Sequence, residues 1–119
     1  MHKFKELLVW QKSVDLAVDI YSLTKKFPNE ERYGLIAQMN RSAVSIPSNI
    51  AEGAGRNTAN EFNHFLGIST RSSFELETQV IISQRLNFLA MEELNSIVKK
   101  INDIQNMTYG LKESLFKPW

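Results

Sequence analysis

The sequence predicts an all-α protein, an antiparallel up-down-up-down four-helix bundle that occupies residues 1–119 as a single domain. Only three prolines and five glycines interrupt the chain, and several of them fall where helical periodicity breaks. Apolar residues recur at spacings of three and four in four long stretches, and the short connections between them favour antiparallel neighbours. With 43% hydrophobic residues, 119 residues are enough for one core without disulfides.

The first helix is predicted over residues 6–26, and its apolar face is wide. One row comprises Leu7, Trp10, Val14, Ala17, Tyr21 and Thr24, and a neighbouring row comprises Val9, Ser13, Leu16, Ile20, Leu23 and Phe27. Two adjacent rows exceed the seam of a two-stranded coil. We therefore expect this helix to contact more than one neighbour.

The second helix is predicted over residues 30–53. Pro28 disfavours helical geometry in the residue before it, and Asn29 is expected to cap the new helix. At the other end, Gly53 and Gly55 are expected to take the left-handed conformation that closes a helix.

The third and fourth helices are predicted over residues 59–87 and 91–115. Thr58 and Glu61 form a T-x-x-E capping box, in which the threonine oxygen accepts from the N–H of Glu61 and the glutamate reaches back to the N–H of Thr58. Asn87 is a suitable left-handed stop. The buried rows are predicted to be Phe62, Leu66, Ser69, Ser73, Leu76, Val80 and Ser83, followed by Leu94, Ile97, Ile101, Ile104, Thr108, Leu111 and Leu115.

Pro47 stands in the middle of the second helix. It lacks an N–H and its ring clashes with the carbonyl of Ala43, which costs roughly 3 kcal/mol in an uninterrupted helix. We expect a kink, with the hydroxyls of Ser45 and Ser48 bonding to the backbone groups that the proline leaves unpaired.

A polar row follows the helix on either side of that proline. Its members are Arg41, Ser45, Ser48 or Asn49, Glu52 and Arg56. Such a row is usually a solvated face, but serine and asparagine are poor mid-helix residues. We favour a hydrogen-bonded contact with another helix or subunit made by Ser45, Ser48, Asn49 and Glu52, with the two arginines near its edges.

The stretches "RSAVSIPSNIAEGAGR" and "FLGISTRSSFELETQ" resemble the bacterial four-helix-bundle family of 23S rRNA intervening sequence proteins. The resemblance extends over nearly the whole chain. Matching the family motif residue by residue carries over Arg41, Ser45, Pro47, Ser48, Asn49, Glu52, Gly53 and Arg56, and also Glu75, Glu77 and Thr78 as structural or interface residues. This chain has Arg71 and Ser72 where the family usually has a glycine before the serine of the third helix.

The resemblance implies a homo-oligomer, a closed ring of five subunits, related to accessory proteins of diversity-generating retroelements. Those relatives bind nucleic acid and a reverse transcriptase. For this chain the implied partners are a further copy of itself, RNA or DNA, and a polymerase or ribosomal protein. No cofactor is implied.

Catalytic and metal-binding patterns are weak. His64 stands alone, His2 lies in what we expect to be a loose terminus, and Glu75 and Glu77 fall on different helix faces. Gly53 to Gly55 lack the lysine and the preceding strand of a phosphate loop. We therefore predict a non-enzymatic protein with no metal site. The absence of cysteine and of an apolar N-terminal signal predicts a cytoplasmic location.

Nucleic-acid binding is one predicted function, and a second function remains as an alternative to it. The formal net charge is only +1, so any phosphate-binding surface must be local or built by assembly. The candidate cations are Arg41, Arg56, Arg71, Arg85, Lys99 and Lys100. The alternative is a protein-only interaction scaffold in which these cations pair with carboxylates or lie in water.

Phe116 and Trp119 lie beyond the last helical turn and could dock on the same domain, on the next subunit or nowhere.

Overall fold

The chain forms a bundle in which each long helix lies beside the next one along the sequence. The computed structural model describes residues 2–117, and within this range there is no strand. The helices are α1 (Leu8–Thr24), α2 (Leu35–Ala54), α3 (Ala59–Arg85) and α4 (Met91–Ser114), with single 3-10 turns at Phe4–Glu6 and Asn29–Glu31. α1 also packs against α4, which closes the bundle into a rod of 49 × 24 × 20 Å. The predicted all-α four-helix bundle is confirmed.

The core is built from one apolar row of each helix. In α1 the buried row is Val9, Ser13, Leu16, Ile20 and Leu23, with Phe27 after the helix. The other predicted row is less buried: Trp10 and Val14 are half-buried and Tyr21 is 46% exposed. The expected contact with two neighbours is confirmed, because α1 touches both α2 and α4. Tyr21, at the edge of the wide apolar face, nevertheless remains partly exposed.

The second helix begins later than the sequence predicts. Residues Asn29–Glu31 form a separate 3-10 turn, and α2 begins only at Leu35. Gly34 interrupts the helix with backbone angles of φ −106° and ψ −110°. Asn29 therefore does not cap α2; instead, the Glu31 carboxylate accepts a 3.3 Å hydrogen bond from the Leu35 N–H.

The connection from α2 to α3 also differs from the prediction. No described glycine has a positive φ, and Gly55 ends α2 at φ −82°. Gly53 is needed for space, because a Cβ at this position would lie 2.8 Å from side-chain atoms of Phe62 and Phe65. The α2–α3 turn therefore depends on close packing of the backbone against two rings.

The predicted cap of α3 is confirmed in its first half. The Thr58 hydroxyl oxygen accepts from the Glu61 N–H at 3.1 Å, whereas the glutamate accepts from the threonine hydroxyl at 3.0 Å rather than from its N–H. At the far end, Asn87 has φ 64°, the predicted left-handed stop. The N–H of Phe88 bonds to the carbonyl of Ser83 at 2.9 Å, which satisfies a terminal acceptor of α3.

Pro47 is buried inside α2, which continues as one helix from Leu35 to Ala54. The nearby side-chain hydrogen bonds differ from those predicted. The Asn49 amide donates to the Ser45 carbonyl at 2.8 Å, and the Ser69 hydroxyl donates to the Ile46 carbonyl at 3.0 Å. Ser48 is exposed and makes no side-chain hydrogen bond within residues 2–117. The carbonyls of the two residues before the proline thus accept hydrogen bonds, that of Ser45 from Asn49 and that of Ile46 from α3.

The N-terminal segment is tied to the bundle. The His2 N–H donates to the Ala54 carbonyl at 2.8 Å, and its ring lies 5.0 Å from the Phe62 ring. This corrects the expectation that His2 is loose. Of the terminal aromatics, Phe116 is exposed, and Trp119 lies outside the described residues. None of the helices described combines the length and apolar character needed to cross a bilayer.

Candidate nucleic-acid interface

The polar row of α2 makes a hydrogen-bonded contact with α3. The hydroxyls of Ser45 and Ser72 lie 2.8 Å apart, and the Asn49 amide donates to the Ser45 hydroxyl at 2.9 Å. Ser72, in the segment that departs from the family pattern, is buried within this contact. These three residues therefore join two helices of one chain.

The end of the polar row lies on the surface. The Glu52 carboxylate and the Arg56 guanidinium form an exposed pair at 3.1 Å, and the guanidinium also lies 4.7 Å from the centre of the Phe65 ring. Such a pair contributes little in water, roughly 0.3–0.5 kcal/mol. Arg56 is thus engaged with its own chain at the α2–α3 turn.

Of the α3 residues that match the family motif, Glu77 bonds to α4 and Thr78 bonds within its own helix. The Gln105 amide of α4 donates to both the Glu77 carboxylate and the Ser73 hydroxyl, each at 3.1 Å. Thr78 donates to the Phe74 carbonyl of its own helix at 2.8 Å. Sequence reasoning missed Gln105, although a glutamine on an otherwise apolar side of a helix is a sign of a buried polar contact.

A polar groove of about 680 Å³ runs between α2 and α3, beside the Ser45–Ser72 contact. This volume is within the range of small-molecule sites. Residues from three helices line it: Tyr21, Gln38, Asn40, Arg41, Ser42, Val44, Ser45, Ser72, Glu75 and Gln79. The Oε1 atom of Gln79 is buried and has no hydrogen-bond partner within the described chain. The groove therefore combines a cation, a carboxylate and amides within one concave surface.

Two further grooves adjoin this one at Tyr21. One, of about 430 Å³, lies between α1 and α2 and is lined mostly by apolar residues, with Tyr21, Ser22 and Lys25. The other, of about 190 Å³, includes Lys25, Arg32 and Asn40. We call the surface where the three grooves meet, formed by Tyr21 with Lys25, Arg32 and Arg41, the Tyr21 junction. Sequence reasoning did not single out Tyr21, Lys25 or Arg32 for this surface, although Lys25 follows Tyr21 by one helical turn.

The structure divides the six candidate cations into two groups. Lys99 pairs with Asp103 at 3.2 Å and Lys100 with Asp19 at 2.7 Å, while Arg56 pairs with Glu52. Arg41, Arg71 and Arg85 have no carboxylate within 4.0 Å among residues 2–117, and the same holds for Lys25 and Arg32. Of the predicted candidates, only Arg41 lies in the Tyr21 junction.

The charge of the Tyr21 junction exceeds that of the chain as a whole. Three cations line its grooves, Lys25, Arg32 and Arg41, and the only carboxylate lining them within the described chain is that of Glu75. The formal net charge of the whole chain is +1. Positive charge is therefore concentrated here, where none of it is neutralised by an ion pair with a described residue.

No cluster of three or more metal-ligating side chains occurs within residues 2–117. His64 is exposed, and its ring lies 5.4 Å from that of Phe65. The clearest pKa shift belongs to Glu93, whose pKa is lowered because its carboxylate accepts from the Ala90 N–H and pairs with Lys26. These contacts at the start of α4 stabilise the fold, and nothing in them indicates a reacting group.

Comparison with known proteins gives a family and a structural relative. The family model described as "23S rRNA-intervening sequence protein" matches residues 5–110. A crystal structure of a protein of unknown function from the S23 ribosomal protein family of Bacteroides thetaiotaomicron is similar, with a TM-score of 0.83 and 26% sequence identity. The alignment covers 89% of this chain and 96% of that one. Among curated proteins there is no match.

Proposed function

Because the chain belongs to the 23S rRNA-intervening sequence protein family, we propose that it is a non-enzymatic homo-oligomer that binds RNA or DNA through the phosphate backbone. We expect the oligomer to be a pentamer and the protein to act in the cytoplasm. The observation that carries the nucleic-acid part of the proposal is the Tyr21 junction, where three cations lack carboxylate partners among the described residues.

Unpaired arginines favour phosphate contacts for an energetic reason. A cation already paired with a carboxylate must give up that partner before it can bind a phosphate, whereas Arg41 has none to give up within the described chain. The planar guanidinium also matches phosphate oxygens with two parallel donors. Contacts of this kind position a nucleic acid without reading its sequence.

Repetition of the subunit would strengthen a weak local charge. A ring repeats the Tyr21 junction once in each subunit, so that one nucleic acid can contact several copies of Arg41. The gain in affinity then comes from effective concentration rather than from new contacts. Homo-oligomerisation is thus consistent with binding by a chain whose net charge is only +1.

The test is fluorescence anisotropy of labelled RNA and DNA with the purified protein, from low to physiological salt. Binding should weaken steeply with salt, because phosphate contacts release counterions. Arg41→Ala should weaken it further and reduce the salt slope by about 1 for each phosphate that the variant no longer binds. Lys99→Ala is the matched control, since Lys99 lies on α4, pairs with Asp103 and lines none of the three grooves, and should matter little.

A second candidate is the protein-only scaffold, and it is favoured by an apolar surface on α3. Phe74 and Ile82 of α3, and Leu86 immediately after it, are spaced by multiples of four and are 55%, 44% and 52% exposed. We call these three residues the α3 stripe. Exposed apolar residues in a row favour a protein contact, with another subunit or with a polymerase or ribosomal partner. Undetectable nucleic-acid binding at low salt would leave this scaffold as the function.

A further inference from the structure

We propose that the Tyr21 junction binds unpaired nucleotides, so that the protein prefers single-stranded to duplex nucleic acid. This inference rests on the proposed function and deepens it by naming the form of nucleic acid bound. Three observations carry it: an exposed tyrosine among cations, a polar groove beside it, and an amide whose oxygen has no partner in the described chain.

Tyr21 is placed where a base could stack on it. It is 46% exposed and lines all three grooves of the junction. A base inside a duplex has both faces covered by its neighbours, whereas an unpaired base offers a free face to an aromatic ring. An aromatic surface therefore distinguishes single strands from duplexes, which phosphate contacts alone do not.

Cations line the same grooves as the tyrosine. Arg41 lines the groove between α2 and α3 together with Tyr21, and Lys25 and Arg32 line the smallest groove together with it. A strand whose base lies against the Tyr21 ring has its own phosphates on either side of that base. The arrangement combines stacking with backbone charge, as in other single-strand binding surfaces.

The polar groove supplies hydrogen-bonding groups for the edge of the base. Gln38, Asn40 and Gln79 are among the residues that line it, and the buried Oε1 atom of Gln79 has no partner in the described chain. Rotating this amide towards the groove breaks no hydrogen bond of that oxygen. This oxygen has no hydrogen-bond donor in the described chain, and a base amino group can supply one. The Glu75 carboxylate can accept from a base amino group or from a ribose hydroxyl.

The test compares a labelled single strand of about 12 nucleotides, a length within typical site sizes, with its own duplex. The wild-type protein should bind the single strand more tightly. Tyr21→Ala should weaken single-strand binding by about 5- to 140-fold, the range expected for loss of one stacked base, and leave duplex binding unchanged. Tyr21→Phe keeps the ring and should keep the affinity.

Two further variants sharpen the test. Gln79→Met keeps the shape of the side chain but removes the acceptor, and should weaken single-strand binding by about two- to tenfold. Tyr109→Ala is the control, because Tyr109 is a 66% exposed tyrosine of α4 that lines none of the three grooves. It should leave both affinities unchanged. Circular dichroism melts and native mass are recorded for each variant to establish that it folds and assembles.

The outcomes separate this inference from the function on which it rests. Equal affinity for the two forms, with no effect of Tyr21→Ala on either, would overturn the inference and leave phosphate-backbone binding in place. A lower native mass for Tyr21→Ala would assign the surface to a contact between copies of the chain and would also overturn it. Absence of binding to either form at low salt would overturn both proposals.

Discussion

The Ser69 hydroxyl of α3 donates a 3.0 Å hydrogen bond to the main-chain carbonyl of Ile46, immediately before the proline inside α2. Ser69 and Ile46 are both almost completely buried, so water does not replace this bond. A small side chain lets the two helices approach closely, and its hydroxyl bonds to the backbone there. The serine thus combines two functions that a large apolar residue in the same row could not.

Replacing Ser69 should therefore destabilise the bundle. We expect Ser69→Ala to lower the free energy of unfolding by about 1 kcal/mol through loss of this hydrogen bond, measured by urea denaturation. Ser48→Ala is the control from the same stretch, because the Ser48 side chain is exposed, and it should change stability by less than about 0.5 kcal/mol. Equal effects of the two substitutions would contradict this explanation.

Replacement of Gly53 and of Gly110 by alanine should change the stability of the fold in opposite directions. A Cβ at Gly53 would stand 2.8 Å from atoms of both Phe62 and Phe65, so Gly53→Ala should destabilise by about 1–3 kcal/mol through overpacking. Gly110 lies inside α4 with nothing within 4 Å of a Cβ, and Gly110→Ala should stabilise by about 0.5–1 kcal/mol. Thermal melts of the two variants would show this difference in sign, and a loss of stability in both would contradict it.

Sequence periodicity is enough to predict the four helices because each buries one continuous row. Leu66, Leu76 and Val80 of α3 recur at helical spacing, and all three are completely buried. Helix ends are predicted less well, since they depend on local geometry. The position of Gly34 alone does not show that α2 begins only at Leu35, because a glycine can also lie within a helix.

The candidate site can be predicted only in part, because it is assembled from separate helices. The motif identifies Arg41, but spacing assigns Tyr21 to the core row of α1. A residue that faces a neighbouring helix and a residue at the edge of the apolar face recur at the same spacing, so spacing does not distinguish them. Only the packing of the helices shows that Tyr21 lies at that edge, where it lines one groove with Arg41 and another with Arg32.

The start of α4 should make stability depend on pH. The pKa of Glu93 is lowered because its carboxylate accepts from the Ala90 N–H and pairs with Lys26 at 2.7 Å. A carboxyl group whose pKa is lower in the folded state stabilises the fold above its unfolded pKa, and this contribution is lost as the pH falls through the folded value. The contribution should therefore be complete at neutral pH and decrease below the ordinary glutamate pKa of 4.5.

Glu93→Gln tests this dependence by removing the charge while keeping an acceptor. The variant should melt below wild type at pH 7, and the difference should shrink towards zero as the pH falls below the folded pKa. Glu92→Gln is the matched control on the neighbouring residue, since Glu92 has no ion pair within residues 2–117. A difference that is the same at every pH would exclude the titration of Glu93 as its cause.

We propose that copies of the chain in the proposed homo-oligomer meet at the α3 stripe. An acidic residue in a buried apolar contact leaves an unpaired charge, whereas the same residue on an exposed surface is solvated. Phe74→Glu, and separately Ile82→Glu, should therefore lower the native mass, measured by light scattering after size exclusion, while each subunit keeps its helical content. Tyr109→Glu on α4 is the control and should leave the mass unchanged, because Tyr109 lies outside the stripe. Retention of the full native mass in both stripe variants would exclude the α3 stripe as the contact between subunits.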